Sequence, residues 1–194
     1  MKIIADKIIY ASLVFVLLFS ILSCEQDGKM ANQSVKHVIV IGVDAMSPNG
    51  IINAETPIMD DMMANGSYTL NARGVLPTSS STNWASMVSG SGPEQHGVTS
   101  NGWERDDYTL PPVITGTEDI FPTIFGVARE QRSDLEMGAI YTWSGFGRLI
   151  ERSALSYDTT QKTDELTLEK ATTYIKVKKP DFLFIHFGFS CILI

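Results

Sequence analysis

The stretch that decides the architecture is "HVIVIGVDA", residues 37–45, a continuous β-branched run that closes on Gly42 and Asp44. It lacks apolar–polar alternation, which suits a strand buried on both faces of a parallel sheet. Outward from it, "TPIMDDMMANG" (56–66) sets Ile58, Met59, Met62 and Met63 at helical spacing before a glycine. That pattern predicts a helix with its methionines in the core, not a ligand cluster. "YTLNARGVL" (68–76) reads as a returning strand, "IFPTIFGVAREQ" (120–131) as a helix with Pro122 near its start, and "LEMGAIYTW" (135–143) as a strand. "LTLEKATTYIKVKK" (166–179) reads as a helix with Leu168, Ala171, Thr172 and Ile175 on one face, and "PDFLFIHF" (180–187) as a final buried strand. Strand and helix alternate throughout, so the expected class is α/β, a mostly parallel sheet flanked by helices. Ligands of such sheets sit beyond the carboxyl ends of the strands, where Asp44 falls.

The chemistry is concentrated in "GVLPTSSSTNWASMVSGSGPEQHGVTSN", residues 74–101, which crowds Thr78, Ser79, Ser80, Ser81 and Thr82 ahead of a short helix predicted over 82–89. A dinucleotide fingerprint is excluded, because the first strand runs into "GVDAMSPNG" without G-x-G-x-x-G. "SGSGP" does not fit the G-x-S-x-G nucleophile elbow, and no phosphate-cradling G-x-x-x-x-G-K-[ST] is present. Two readings of the hydroxyls stand level on physical grounds. They cap the helix, or they face an anion held at the helix start by backbone N–H groups.

Of 194 residues, 44% are apolar and 19% charged, the balance of one globular domain. Residues 1–24 differ: Lys2 and Lys7 precede an apolar run from Ile8 to Leu22, too short for a membrane span, which ends in "ILSC". This resembles a bacterial lipobox, so Cys24 is expected to be the lipidated first residue of the mature chain, with 25–35 a polar tether. The expected location is outside the cytoplasm, anchored to a bacterial membrane. With Cys24 taken, Cys191 has no intramolecular partner and a disulfide framework is excluded. Net charge is −7; without Lys2, Lys7 and Asp6 it is −8, from 13 basic and 21 acidic residues. An acidic domain without a Lys/Arg cluster excludes nucleic acid as a partner gripped through its backbone.

"VIVIGVDA" followed by "PTSSSTNWASMVSGSGPEQHGVTSN" resembles the alkaline phosphatase superfamily, specifically its type I phosphodiesterase/nucleotide pyrophosphatase branch. The resemblance covers roughly residues 35–188. Members carry a strand ending in a metal-binding Asp, a P-T-x-[T/S]-x-x-N segment with the nucleophile fourth, then T-G-x-x-P-x-x-H-G and an Asn. It implies Asp44 as metal ligand, Ser80 as both nucleophile and metal ligand, and Asn101 as a phosphoryl contact, aided by the Ser81 N–H. Asn83, Gly90, Pro93, His96 and Gly97 occupy the other motif positions. Ser80 stands where many members have Thr, and Thr82 replaces a common Pro. The reaction implied is hydrolysis of a small phosphate ester through a phosphoseryl intermediate, with two divalent metal ions, zinc by expectation, clamping the attacking and leaving oxygens. The alternatives are a sulfatase-like hydrolase, disfavoured because "SSSTNW" lacks the Pro and Arg of a C/S-x-P-x-R segment, and a lipid-anchored binding protein without activity.

His37, His96 and His186 are each expected to be structural, and "TWSGFGRL" (142–149) serves equally as a pocket wall or a surface turn. In the family, a strand like "KPDFLFIHFG" runs into a D-x-x-G-H segment that supplies the second metal. Here "FSCILI" follows. The expectation is therefore the N-terminal part of an alkaline-phosphatase-like domain over 36–194, incomplete at the C-terminus. Such a chain is expected to bind at most one zinc and to be inactive or impaired.

Overall fold

The computed structural model describes residues 36–188. The proposed signal segment with Cys24, the tether to residue 35, and Cys191 lie outside the described residues. Four strands form one sheet in the order β1-β4-β2-β3: β1 (Val38–Val43), β2 (Met137–Tyr141), β3 (Tyr157–Thr160) and β4 (Phe182–Phe187). Every pairing is parallel, and the β1–β4 register runs from Val38 opposite Phe182 to Val43 opposite Phe187. The longer helices are α2 (Pro57–Asn65), α3 (Ser80–Ser89), α5 (Ile124–Gln131) and α6 (Asp164–Lys178); α1 (Pro48–Asn53) and α4 (Pro93–His96) are short. No helix among the described residues is long and apolar enough to cross a membrane.

Alternation along β4 assigns the two faces of the sheet, since successive side chains of a strand point to opposite sides. Phe184 joins Trp84 of α3, Phe125 of α5 and Phe146 in one apolar cluster, with Phe182 packed at its edge. Leu183 and Ile185 face the other way, with Ile140 of β2 and Ala171 and Tyr174 of α6. The expected α/β layering is therefore present, with β4 and β2 as its buried centre.

Several sequence expectations are corrected. Among the described residues β1 is an edge strand, and Val38, Ile39 and Ile41 are exposed where burial on both faces was predicted. A parallel central strand and an edge strand share the same β-branched composition, so composition does not separate them. Residues 68–76 form no strand, and Pro122 precedes α5, which is capped by Thr123. α2 forms as predicted but buries no residue, and Ile58 and Met62 are exposed, so its apolar stripe is not core. α6 buries Thr167, Ala171 and Tyr174, while Leu168 is exposed; the buried stripe is rotated by about one position from the predicted face.

Candidate active site

Asp44 leaves the sheet at the carboxyl end of β1. Its backbone N–H continues the ladder to Phe187 at 3.0 Å, and the next residue, Ala45, turns sharply at φ 58°. A left-handed conformation is unusual for alanine. The turn is supported by the Ala45 N–H donating to Asp44 Oδ1 at 2.9 Å, and it ends the strand so that the carboxylate stands at the sheet's rim.

The nucleophile candidate is presented by α3, whose first residue is Ser80. Two contacts place this helix. Trp84 lies against Gly42 of β1 so closely that a Cβ on Gly42 would come within 2.5 Å of its ring. Asn83 clamps the preceding loop, accepting from Val75 N–H at 2.8 Å and donating to the Ser79 carbonyl at 3.0 Å. Asn83 is therefore structural. Gly90 ends α3 in the left-handed conformation, φ 67°, which glycine adopts without a Cβ penalty.

Helix starts leave backbone N–H groups without intrahelical partners. Ser79, the N-cap, makes no side-chain bond to the backbone of α3; its hydroxyl pairs with that of Thr82 at 2.7 Å. The partner arrives from a distant loop, for Asn101 Oδ1 accepts from the Ser81 N–H at 2.8 Å. In this state the Ser81 N–H, expected to hold a phosphoryl oxygen, is engaged by Asn101.

Asp44, Ser80 and Asn101 line a single cavity of about 660 Å³ with Thr142, Trp143, Ser144, Gly145, Arg148 and Gly188. Asp44 and Ser80 also border a second cavity of about 440 Å³ on the side of Thr78 and Met87. The structure thus brings the three predicted residues together at the carboxyl end of the sheet. The "TWSGFGRL" segment forms a wall of the cavity, a role that its glycine pattern left open. Sequence reasoning missed Asp164, whose Oδ1 accepts from Thr142 Oγ1 at 2.5 Å and from Gly188 N–H at 3.0 Å, tying the start of α6 to the ends of β2 and β4. It also missed Arg148; neither residue sits in a spacing that signals its role.

The three histidines differ in how they are held. His96 is buried; its Nδ1 accepts from Val98 N–H at 3.0 Å, so Nε2 carries the proton and donates to Ser86 Oγ at 2.9 Å. Burial holds its pKa below the ordinary imidazole value despite Glu94 nearby. His37 bonds the Pro180 carbonyl at 2.8 Å. His186 is buried with neither ring nitrogen partnered, its ring centroid 4.7 Å from that of Trp84. Burial depresses its pKa too, opposed in smaller measure by the charges of Asp44 and Asp164.

A sequence profile described as type I phosphodiesterase/nucleotide pyrophosphatase matches residues 38–188. The chain belongs to this family. Murine ectonucleotide pyrophosphatase/phosphodiesterase 5, solved as an inactive variant in complex with AMP, is similar at 20% identity and a TM-score of 0.62, over 80% of this chain and 44% of that one. The human counterpart is similar at 18% identity and the same TM-score, over 79% and 43%. These likenesses show the fold, which is the alkaline-phosphatase-like α/β fold expected from the sequence, and the chain spans under half the length of either. No curated protein matches. The activity that gives this family its description is phosphodiesterase and nucleotide pyrophosphatase hydrolysis. The family is metal-dependent, yet among the described residues no three His, Cys, Asp or Glu side chains gather to hold an ion.

Proposed function

We propose that the protein hydrolyses small phosphate esters, nucleotides among them, with Ser80 as nucleophile and a phosphoseryl intermediate. The observation that carries this reading is the convergence of Asp44, Ser80 and Asn101 on one cavity at the carboxyl end of a parallel sheet. Ser80 Oγ attacks phosphorus in line, the bond from phosphorus to the departing oxygen breaks, and the Ser80 proton passes by way of solvent to that departing oxygen, which leaves as the alcohol. Water then attacks the phosphoseryl phosphorus, the Oγ–P bond breaks, one proton of that water returns to Ser80 Oγ, and the phosphoryl group leaves bearing the water's oxygen. Asn101, at the cavity wall, steadies a phosphoryl oxygen through its side-chain NH₂ while its Oδ1 stays on the Ser81 N–H.

Divalent ions would supply the Lewis acidity that makes a serine hydroxyl nucleophilic at neutral pH, and Asp44 and Ser80 are the donors this chain brings. Two donors fall short of the three protein ligands usual at a catalytic zinc. The described residues therefore support at most one weakly held ion, and we propose that turnover by this chain is correspondingly impaired. The AMP complex of the murine relative supports a nucleotide as one substrate of this class. We further propose that the protein acts outside the cytoplasm, held by a lipid on Cys24; the support is the "ILSC" ending after an apolar run.

The test is Ser80→Ala in the full gene product, with zinc and bis(p-nitrophenyl) phosphate. Turnover should vanish while the fold persists, and acid-quenched wild-type protein should yield a phosphorylated peptide containing Ser80. Undiminished turnover in the variant would move the nucleophile elsewhere, with Ser79 and Ser81 next in line.

A further inference from the structure

We infer that Arg148 is a positioning residue that locks Asn101 onto the helix start presenting Ser80. The inference rests on the reading of Ser80 and Asn101 just given. One guanidinium joins three segments that are distant in sequence. Its Nη2 donates to the Asn101 main-chain carbonyl and to Ser81 Oγ, the latter at 3.3 Å, and its Nη1 pairs with Glu104. Asn101 in turn uses its side-chain oxygen to accept from the Ser81 N–H. The result is a closed circuit: Arg148 holds the backbone of Asn101 and the side chain of Ser81, while Asn101 holds the backbone of Ser81. Since Ser79 makes no cap bond, this circuit is what supplies the helix start with an acceptor from outside.

Arg148 is itself held firmly. It ends the turn Ser144–Arg148, and its main-chain carbonyl accepts from Arg105 Nε at 3.0 Å. Arg105 is braced by Glu118 and by the Ile150 carbonyl at 2.6 Å. The Arg148 guanidinium carbon lies 5.8 Å from the centroid of the Trp143 ring, and only a fifth of the side chain is exposed.

Two features separate positioning from general support of the fold. Arg148 Nε is buried without a partner, an exception to the rule that buried polar groups are bonded. The side chain is thus placed to satisfy the fork at Asn101 and Ser81 and not its own stem. The Nη groups are also turned to protein acceptors, with Glu104 balancing the charge, so the residue is disposed to set geometry more than to read an anionic substrate. A lysine would bring a point charge in place of a planar fork that serves three acceptors on two segments.

The experiment compares ¹⁵N-labelled wild type, Arg148→Lys and Arg148→Met by amide hydrogen exchange and by the side-chain NH₂ resonances of Asn101, with turnover measured alongside in the same zinc-supplemented protein. We expect the Ser81 amide to exchange at least about tenfold faster in both variants, the Asn101 resonances to shift, and the amides of β2 and β4 to keep their protection. Where turnover is measured, kcat should fall by about 10²-fold with KM little changed, and lysine should not restore it. Unchanged Ser81 exchange and Asn101 resonances in both variants would overturn the inference, as would a raised KM with intact kcat or full rescue by lysine. If Arg148→Met does not fold, Arg148→Lys carries the same readouts. Retained turnover in Ser80→Ala would instead remove the nucleophile reading, while the exchange data still decide whether Arg148 ties Asn101 to the helix.

Discussion

Replacing Gly42 by alanine probes the contact that sets the distance between Asp44 and the nucleophile helix. The new Cβ would lie 2.5 Å from Trp84 Cη2 and 2.7 Å from Cζ3, against about 3.5–4.0 Å for carbons in contact, so the ring must retreat by about 1 Å. Its retreat is opposed on the buried side, where Trp84, 6% exposed, is hemmed by Phe146, Phe184 and His186 at centroid distances of 6.2, 6.1 and 4.7 Å. Overpacking of this kind costs about 1–3 kcal/mol. The backbone works the other way, because glycine in a strand interior is worse than alanine by about 0.5–1 kcal/mol. The clash outweighs this, and we expect a net loss of about 1–2 kcal/mol, read as a urea midpoint lower by about 0.5–1 M at an m-value of about 2 kcal/mol/M. Trp84→Leu removes the ring, so Gly42→Ala in that background should cost little or nothing, leaving a coupling energy of at least about 1 kcal/mol. Wild-type stability in the single variant, or a cost that persists without the indole, would refute the reasoning.

Three further outcomes follow from the same contacts and from the sequence. Glu151 is buried at 1% exposure and accepts from the Thr123 N–H at 2.9 Å and from the Thr123 hydroxyl at the start of α5. Glu151→Ala should therefore lose about 2–3 kcal/mol in urea unfolding and Glu151→Gln less, and equal losses would show that the bonds to Thr123 do not matter. Folding keeps His96 and His186 neutral by burial, so the unfolded chain binds more protons below its imidazole pKa of about 6.5. Stability is then full above that pH and declines below it towards the depressed folded values, by at most about 1.4 kcal/mol per pH unit for each histidine. The urea midpoint should be lower at pH 5.5 than at pH 7.5, and His96→Gln should flatten the difference; identical midpoints would contradict this. Cys24→Ala should release the protein from membranes and abolish a diacylglyceryl mass at that residue, and a variant that stays membrane-bound would count against the anchor.

Local signals carried the reading of this chain furthest where composition and spacing coincide. The β-branched run ending in Asp44, the hydroxyl cluster at the start of α3, and the glycine that ends it are short-range patterns, each with its own backbone consequence. Together they marked Asp44, the hydroxyl cluster and the class of the sheet, while Ser80 and Asn101 were singled out by the resemblance to the phosphodiesterase family. Other features depend on which surfaces meet, and no single segment encodes that. Whether β1 is a centre or an edge depends on how many neighbours it has, and the same Val and Ile residues serve either place. The methionines of α2 have helical spacing whether or not anything covers them. The bond from Asn101 to Ser81 spans 20 residues, and the fork of Arg148 reaches 47 residues back to Asn101 and 67 to Ser81. Such contacts exist only once β4 has brought β1 and β2 together on either side of it, because parallel pairing joins segments that the chain itself keeps far apart.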